Sequence, residues 1–218
     1  MRRIEKGPEP VELTNWKDQA NTEWKPAWDN FRGEEKRAVK KALLTEQGHI
    51  CCYCMGGIDT DSSHIEHIKS QSRSSEREKL DYGNMLASCK GEGERAGGIQ
   101  EHCGHYRGNW YDPELFVTPL HPACETRFRF FADGKVRAAE NDAGAQETIT
   151  RLRLDYSLLE KNRKDAILGA IFADGYDMPD GEDLRILIQA YENRDSEGKF
   201  RPYCIAVLQV MREYVAPA

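Results

Sequence analysis

The 218-residue chain sets 31 Lys and Arg against 37 Asp and Glu, a formal net charge of -6, with 39% hydrophobic residues. That balance fits a soluble globular protein and excludes a generally basic nucleic-acid coat, so any nucleic-acid contact must use a local basic patch. No apolar run approaches the roughly 20 residues of a membrane helix, and MRRIEKGPEP lacks the apolar stretch of a secretory signal, so the cytoplasm is the expected compartment.

Residues 1 to 30, with Pro8, Pro10, Pro26 and the tryptophans Trp16, Trp24 and Trp28, read as an irregular arm packed on the rest. The spacing of Val39, Ala42 and Leu43 predicts an amphipathic helix from Glu34 to Gln47, stopped by Gly48. Residues 49–110 are rich in Cys, His, Gly and Ser and hold no long periodic segment. Such a stretch has little apolar surface to bury, and a bound metal would order it. Further on, Phe128 and Phe130 alternate with Arg127 and Arg129, and Asp133-Gly134 signals a hairpin between two short strands. The two arginines suit a nucleic-acid groove or an exposed strand face equally well.

From residue 145 the chain reads helical, with Ile149 and Leu152 on one face. Ser157 and Glu160 make a capping-box pattern before Leu158, Leu159, Ile167 and Ile171. The acidic stretch 174–183 reads as a connection. Leu184, Leu187, Ile188 and Tyr191 mark another helix, and Pro202 suits the first residue of a last one carrying Tyr203, Ala206, Val207, Val210 and Tyr214. The expected fold class is therefore α+β, in three stretches: an arm and helix over 1–48, a metal-ordered core over 49–110, and a hairpin with a mainly helical scaffold over 111–218.

Seven cysteines, an odd number, fit a disulfide framework poorly. Five of them lie between residues 51 and 105, with four of the six histidines (His64, His67, His102, His105). In a reducing compartment such clustering points to metal. Cys51-x-x-Cys54 lets one tight turn present two thiolates to a tetrahedral ion, and Cys89 with Cys103 can complete the set by looping out the glycine-rich residues between them. Zn2+ on Cys51, Cys54, Cys89 and Cys103 is the expected structural site, with His102 as the alternative to Cys103. Cys52, Cys124 and Cys204 read as packing residues or free thiols. The stretch SSHIEHIKSQS lies between the two half-sites, where a zinc staple would hold it rigid. Glu66 and His67 are adjacent there, so they face opposite ways on a regular strand and can act together only where the strand ends.

Taken with its surroundings, the pattern C-x-Y-C, IEH, N, C and C-x-H-x-R-G-N resembles the HNH nuclease motif in its zinc-stapled ββα-metal form. MRRIEKGPEP, HIEHIKSQS, NMLASCKG, HCGHYRGN, TPL and ETITRLRLDYSLLEKNR are similar, in order, to the HNH nucleases of retron and Septu-type antiphage defence systems. That resemblance implies a metal-dependent endonuclease hydrolysing DNA or RNA phosphodiesters. It also implies a partner ATPase from the same operon, with a retron reverse transcriptase and its RNA/DNA as a further partner. His67 matches the general base, Glu66 the carboxylate holding a catalytic Mg2+ or Mn2+, and Asn84 the asparagine that ties the motif segments together. In many relatives the third ligand directly follows the last cysteine, a position that here is Gly104; His105 is the expected substitute, with Asn109 one turn beyond it. Arg107 replaces the family lysine and would hold phosphate.

The competing reading is a zinc-ordered binding or adaptor module whose pocket no longer cuts, which the departures at Gly104 and Arg107 leave open. A Cys/His nucleophilic hydrolase is more distant, since no Cys-His-Asp set has a local motif.

Overall fold

In the computed structural model, residues 1–95, 98–172, 179 and 181–215 are described. The N-terminal arm is not irregular: it carries a helix, α1 (Val11–Lys17), that buries Leu13 and Trp16. Pro10 occupies its N-cap, where a missing N–H costs nothing, so the prolines that argued against helix here start one instead. Trp16 packs edge-on against Trp24 at 5.5 Å and against Phe31 at 5.1 Å, so these rings are core anchors. The predicted amphipathic helix is α2 (Gly33–Glu46), with Val39, Leu43 and Leu44 buried.

After a tight turn at Cys51–Cys54 come β1 (Ser63–His67), the single-turn helix α3 (Glu76–Lys79) and β2 (Met85–Cys89). Strands β1 and β2 pair antiparallel, with Glu66 opposite Leu86 and His67 opposite Met85. The glycine-rich loop contains two further short strands, β3 (Glu92–Arg95) and β4 (Gly98–Gln100), and leads into α4 (Cys103–Arg107). β1 and β2 make one two-stranded sheet, and α4 packs on β2. Residues 49–110 bury more apolar surface than their composition suggested: Ile50, Tyr53, Met55, Ile58, Ile65, Met85, Leu86 and Ala87 all join the core. These residues are spread singly along the turns and strands, which is why no periodic run reveals them.

The hairpin read from Asp133-Gly134 is β5 (Phe128–Phe130) and β6 (Val136–Ala138), paired antiparallel. Gly134 has φ +84°, and a Cβ there would lie 2.0 Å from the Glu160 carbonyl oxygen, so the turn needs glycine. Arg127 is committed to Asp142, with Nε 2.6 Å from Oδ2, whereas Arg129 stands exposed on the strand. Asp142 caps α5 (Ala143–Leu152) by accepting from the Ala145 N–H at 2.8 Å.

Helix α6 (Ser157–Ile171) starts without the expected capping box, because Tyr156 occupies the N-cap and Ser157 is already inside the helix. Arg153 explains the shift: it ends α5 in the left-handed conformation and lies 4.6 Å over the Tyr156 ring, fixing where the chain re-enters a helix. The acidic stretch 174–183 falls largely outside the described residues, and α7 (Gly181–Glu192) follows it. The last helix, α8, spans Cys204–Val215 and begins two residues later than Pro202. Tyr203 has φ 57°, which no right-handed helix admits, and its N–H donates to the Met55 carbonyl at 2.8 Å. The approach to α8 is therefore pinned to the cysteine turn. One buried cluster takes side chains from 1–48, 49–110 and 111–218 alike, among them Leu43, Met85 and Val207. Among the described residues no helix is long and apolar enough to cross a membrane.

Candidate metal centre and nuclease groove

The cysteine turn is closed by backbone bonds from Cys51 N to Gly56 O at 2.8 Å and from Met55 N to Cys51 O at 3.0 Å. Cys51 and Cys54 are thereby fixed on one turn, facing Cys89 at the end of β2 and Cys103 at the start of α4. All four sulfur atoms lie within 4.8 Å of one another, and Cys54 Sγ is 3.9 Å from Cys89 Sγ. A tetrahedral zinc with bonds of about 2.3 Å separates its sulfurs by about 3.8 Å, so the donor set fits that ion. His102, the alternative ligand, lies outside this set; its Nδ1 is 3.8 Å from Cys89 Sγ and 3.1 Å from Cys103 Sγ. Burial opposes charge on Cys51, yet hydrogen bonds from the Cys103, Cys52, Cys54 and Cys89 thiols hold it well below the usual thiol range. Burial and the Cys51 sulfur push Cys103 up. A divalent cation favours the thiolate form of the cysteines that bind it.

Gln47 ties this centre to the sheet. Its Nε2 donates to the Ile50 and Ala87 carbonyls at 2.9 and 2.8 Å, and its Oε1 accepts from Ala87 N at 2.7 Å.

β1 ends at His67, and beyond that point Glu66 and His67 line the same groove with His64, Gln71, Gly104, His105, Arg107 and Asn109, a space of about 350 Å³. Both residues belong to β1, and the strand stops at the second of them. His67 Nε2 donates to the Lys79 carbonyl at 2.8 Å, which leaves Nδ1 as the lone-pair nitrogen, accepting from Gln71 Nε2 at 3.3 Å. The Trp28 ring packs edge-on 4.4 Å from His67. Burial lowers the pKa of His67, only partly offset by the Lys79 carbonyl and Glu66, so the ring stays neutral near pH 7.

Asn84 clamps the segment behind the histidine. Its Oδ1 accepts from Lys69 N at 2.8 Å, and its Nδ2 donates to the Lys69 and Glu78 carbonyls at 3.2 Å each. Lys79, whose carbonyl fixes His67, directly follows Glu78.

Glu66 is buried at 7% exposure, with Oε1 taking the Tyr53 hydroxyl at 3.0 Å and Arg107 at 2.6 Å, and Oε2 facing His64 Nε2 at 3.2 Å. Burial opposes its charge, but His64, Arg107 and Tyr53 outweigh that and hold the carboxyl below the usual range. Arg107 does not present itself to phosphate as expected. Its guanidinium is buried and donates to the Ile68 carbonyl at 2.7 Å and the His67 carbonyl at 2.5 Å besides pairing with Glu66. A cation desolvated beside a desolvated carboxylate pairs with it, which spacing in sequence did not reveal.

His105 is exposed and stacks on His64, ring centroids 4.5 Å apart and 24° from parallel, with a hydrogen bond to the Lys90 backbone. Asn109 lines the groove's far end, where its carbonyl accepts from Ser70 Oγ at 3.1 Å. The residues at the groove to which the sequence reading gave no individual role are His64, Tyr53, Gln71 and Trp28. A signal existed for His64: it stands two residues before Glu66 on a strand, so both face one side. Glu66 has one imidazole beside it, His64 at 3.2 Å, with His105 stacked on that ring; these are donor types that divalent cations accept, but among the described residues only the four cysteines gather three or more ligand atoms within 4.8 Å.

The fold and site define an α+β protein in which a four-cysteine centre supports a histidine–carboxylate groove. No protein-family model matches the chain. It is 30% identical over 173 residues, covering 75% of this chain and 80% of the relative, to a Vibrio cholerae serotype O1 biovar El Tor protein described as "Retron Vc95 putative HNH endonuclease". It is 33% identical over 101 residues to the Escherichia coli protein described as "Retron Ec83 putative HNH endonuclease", covering 42% of this chain and 38% of that one. The chain belongs to the retron HNH endonuclease family.

Proposed function

We propose that the protein is a metal-dependent HNH endonuclease that hydrolyses nucleic-acid phosphodiester bonds as the effector of an antiphage defence system. The observation that carries this reading is the His67 Nε2–Lys79 carbonyl hydrogen bond at 2.8 Å: it keeps the ring proton on Nε2 and the lone pair on Nδ1, beside a groove lined also by Glu66 and by Gln71, whose Nε2 an attacking water would displace from Nδ1. His67 Nδ1 accepts a proton from the attacking water, and Asn84 keeps the Lys69 and Glu78 backbone in the register that aims it. Glu66 and His105 would hold a divalent ion, which supplies charge compensation at the phosphorus and at the leaving oxygen. Arg107 acts by holding the Glu66 carboxylate in place, and the four-cysteine zinc centre fixes β2 and α4 around the groove.

A net charge of -6 supplies little non-specific attraction to phosphates, so the isolated chain needs help to find its target. We infer that a partner ATPase, as in the defence systems that the sequence resembles, recruits and restrains it. The test is a cleavage assay on plasmid, single-stranded DNA and RNA with Mg2+ or Mn2+, with and without the co-expressed ATPase. His67→Ala should abolish cleavage while zinc content is retained, with some loss of melting temperature because a buried ring that packs on Trp28 and bonds the Lys79 carbonyl is removed. Cleavage by His67→Ala at the wild-type rate refutes the base assignment. Binding of nucleic acid without cleavage under every condition favours the adaptor reading, to which the closed Arg107–Glu66 pair lends its support.

A further inference from the structure

Gly104 lies on α4 at the position where many HNH nucleases carry a metal ligand, and it has no side chain to offer. What its Cβ would meet is specific: Glu66 Oε2 at 2.5 Å and His64 Nε2 at 3.0 Å. The space that a helix side chain would fill is thus occupied from the other side, by two residues of β1. His64 and Glu66 stand at i and i+2 on that strand, which puts both on one face of the sheet.

We propose that His64 is a direct ligand of the divalent ion, replacing from β1 the donor that α4 lacks at Gly104. This rests on the nuclease reading of the Glu66 groove and assigns it a residue that neither the motif nor the fold names. The spacing is that of two donors on one ion: His64 Nε2 and Glu66 Oε2 are 3.2 Å apart, and adjacent ligands of an octahedral ion with bonds of about 2.1 Å are separated by about 3 Å. His105, stacked on His64 at 4.5 Å, holds the ring plane and brings a second imidazole to the same place.

This donor set carries a chemical consequence. A site of carboxylate and water alone suits Mg2+, whereas imidazole nitrogen suits ions later in the first transition row. The groove should therefore prefer Ni2+ to Mg2+, and His64 should be responsible for much of that preference.

The experiment is calorimetric titration of the untagged, zinc-loaded full chain with Ni2+ and, separately, Mg2+. Wild type, His64→Ala, His64→Gln and Glu66→Gln are compared, with zinc content and melting temperature recorded for each. The proposal expects His64→Ala to weaken Ni2+ binding by about tenfold or more while changing Mg2+ binding much less, so that the preference collapses; Glu66→Gln should weaken both. His64→Gln keeps the bulk and hydrogen bonding of the position, so loss of the Ni2+ preference in that variant too marks a nitrogen ligand, not a packing residue. If both His64 variants bind Ni2+ as wild type does, or lose Ni2+ and Mg2+ affinity by the same factor, His64 is not a ligand, even where Glu66 dependence and cleavage persist. If wild type binds neither ion in the groove, this proposal and the catalytic-ion reading fall together.

Discussion

Arg107 and Glu66 form a buried ion pair, with Nη2 2.6 Å from Oε1 and side chains 2% and 8% exposed. Two desolvated charges stabilise a fold only while both are present; removing one leaves the other unpaired at a cost of about 3–5 kcal/mol. Arg107→Ala should lower stability by that order and release the two carbonyls, of His67 and Ile68, that the guanidinium holds. Arg107→Lys keeps the charge but cannot span two carbonyls and a carboxylate, so it should sit between wild type and Ala. Denaturant unfolding of the three proteins checks the order. Equal stability in all three would mean that the pair contributes nothing.

The pKa of His67 is lowered by burial, so its neutral, proton-accepting form persists below the usual histidine value of about 6.5. A general base works only when deprotonated. Activity should then be flat from pH 8 through 7 and fall only on the acid side, with a midpoint below about 6.5. Trp28→Ala, which strips the ring packed 4.4 Å from His67, should admit water and move that midpoint upward toward the free value. A pH–rate profile for cleavage reads both. An acid limb centred above the free value in wild type, or one that Trp28→Ala shifts downward, contradicts the burial argument.

Zinc removal should be felt locally first. The four cysteines join the 51–54 turn, the end of β2 and the start of α4, whereas α5 and α6 pack through Ile149, Leu152, Leu159 and Ile167 and contribute none of the four ligands. After chelation, hydrogen exchange should rise in residues 49–58, 85–89 and 103–107 before it rises in 143–171, and cleavage should be lost. Simultaneous loss of protection in both stretches would mean that the metal is not a separate support. Gln47→Leu offers a metal-independent comparison. It leaves the buried Ala87 N–H unsatisfied and should cost about 1–3 kcal/mol with zinc retained.

The sequence was legible where a single residue type has a single geometric use. Cys51-x-x-Cys54 forms one turn, Asp133-Gly134 one hairpin, and the 39–42–43 spacing one helix face. At the site the motif order singles out Glu66 and His67, which line one groove, and Asn84, which clamps Lys69 and Glu78 behind it. The sequence was not legible where a tertiary partner sets the role. Arg107 reads as a surface cation until the buried carboxylate of Glu66 is placed beside it. Pro10 reads as a breaker until it falls at the N-cap of α1, and Ser157 reads as a cap until the left-handed Arg153 shifts the helix start. His64 is a similar case, since its neighbour across space, Gly104, is 40 residues away in the chain.

Gly104→Ala separates helix propensity from site geometry, because the two predict opposite signs. In an ordinary helix this exchange stabilises by about 0.5–1 kcal/mol, since alanine loses less backbone freedom on folding. Gly169 in α6 is such a case, with nothing within 4 Å of its would-be Cβ, and Gly169→Ala should leave cleavage unchanged and raise stability slightly. At Gly104 the new methyl would lie 2.5 Å from Glu66 Oε2, which must move away. The carboxylate has little room to do so, because Tyr53 and Arg107 hold its other oxygen at 3.0 and 2.6 Å. It can yield only by breaking one of those contacts or by turning Oε2 away from His64. Gly104→Ala should therefore lose most of its cleavage activity and gain no stability, with the zinc content unchanged. The measurement is a cleavage rate and a melting temperature for both alanine variants side by side. If Gly104→Ala behaves like Gly169→Ala, the groove has slack at Glu66 and the close fit of β1 against α4 has no part in the chemistry.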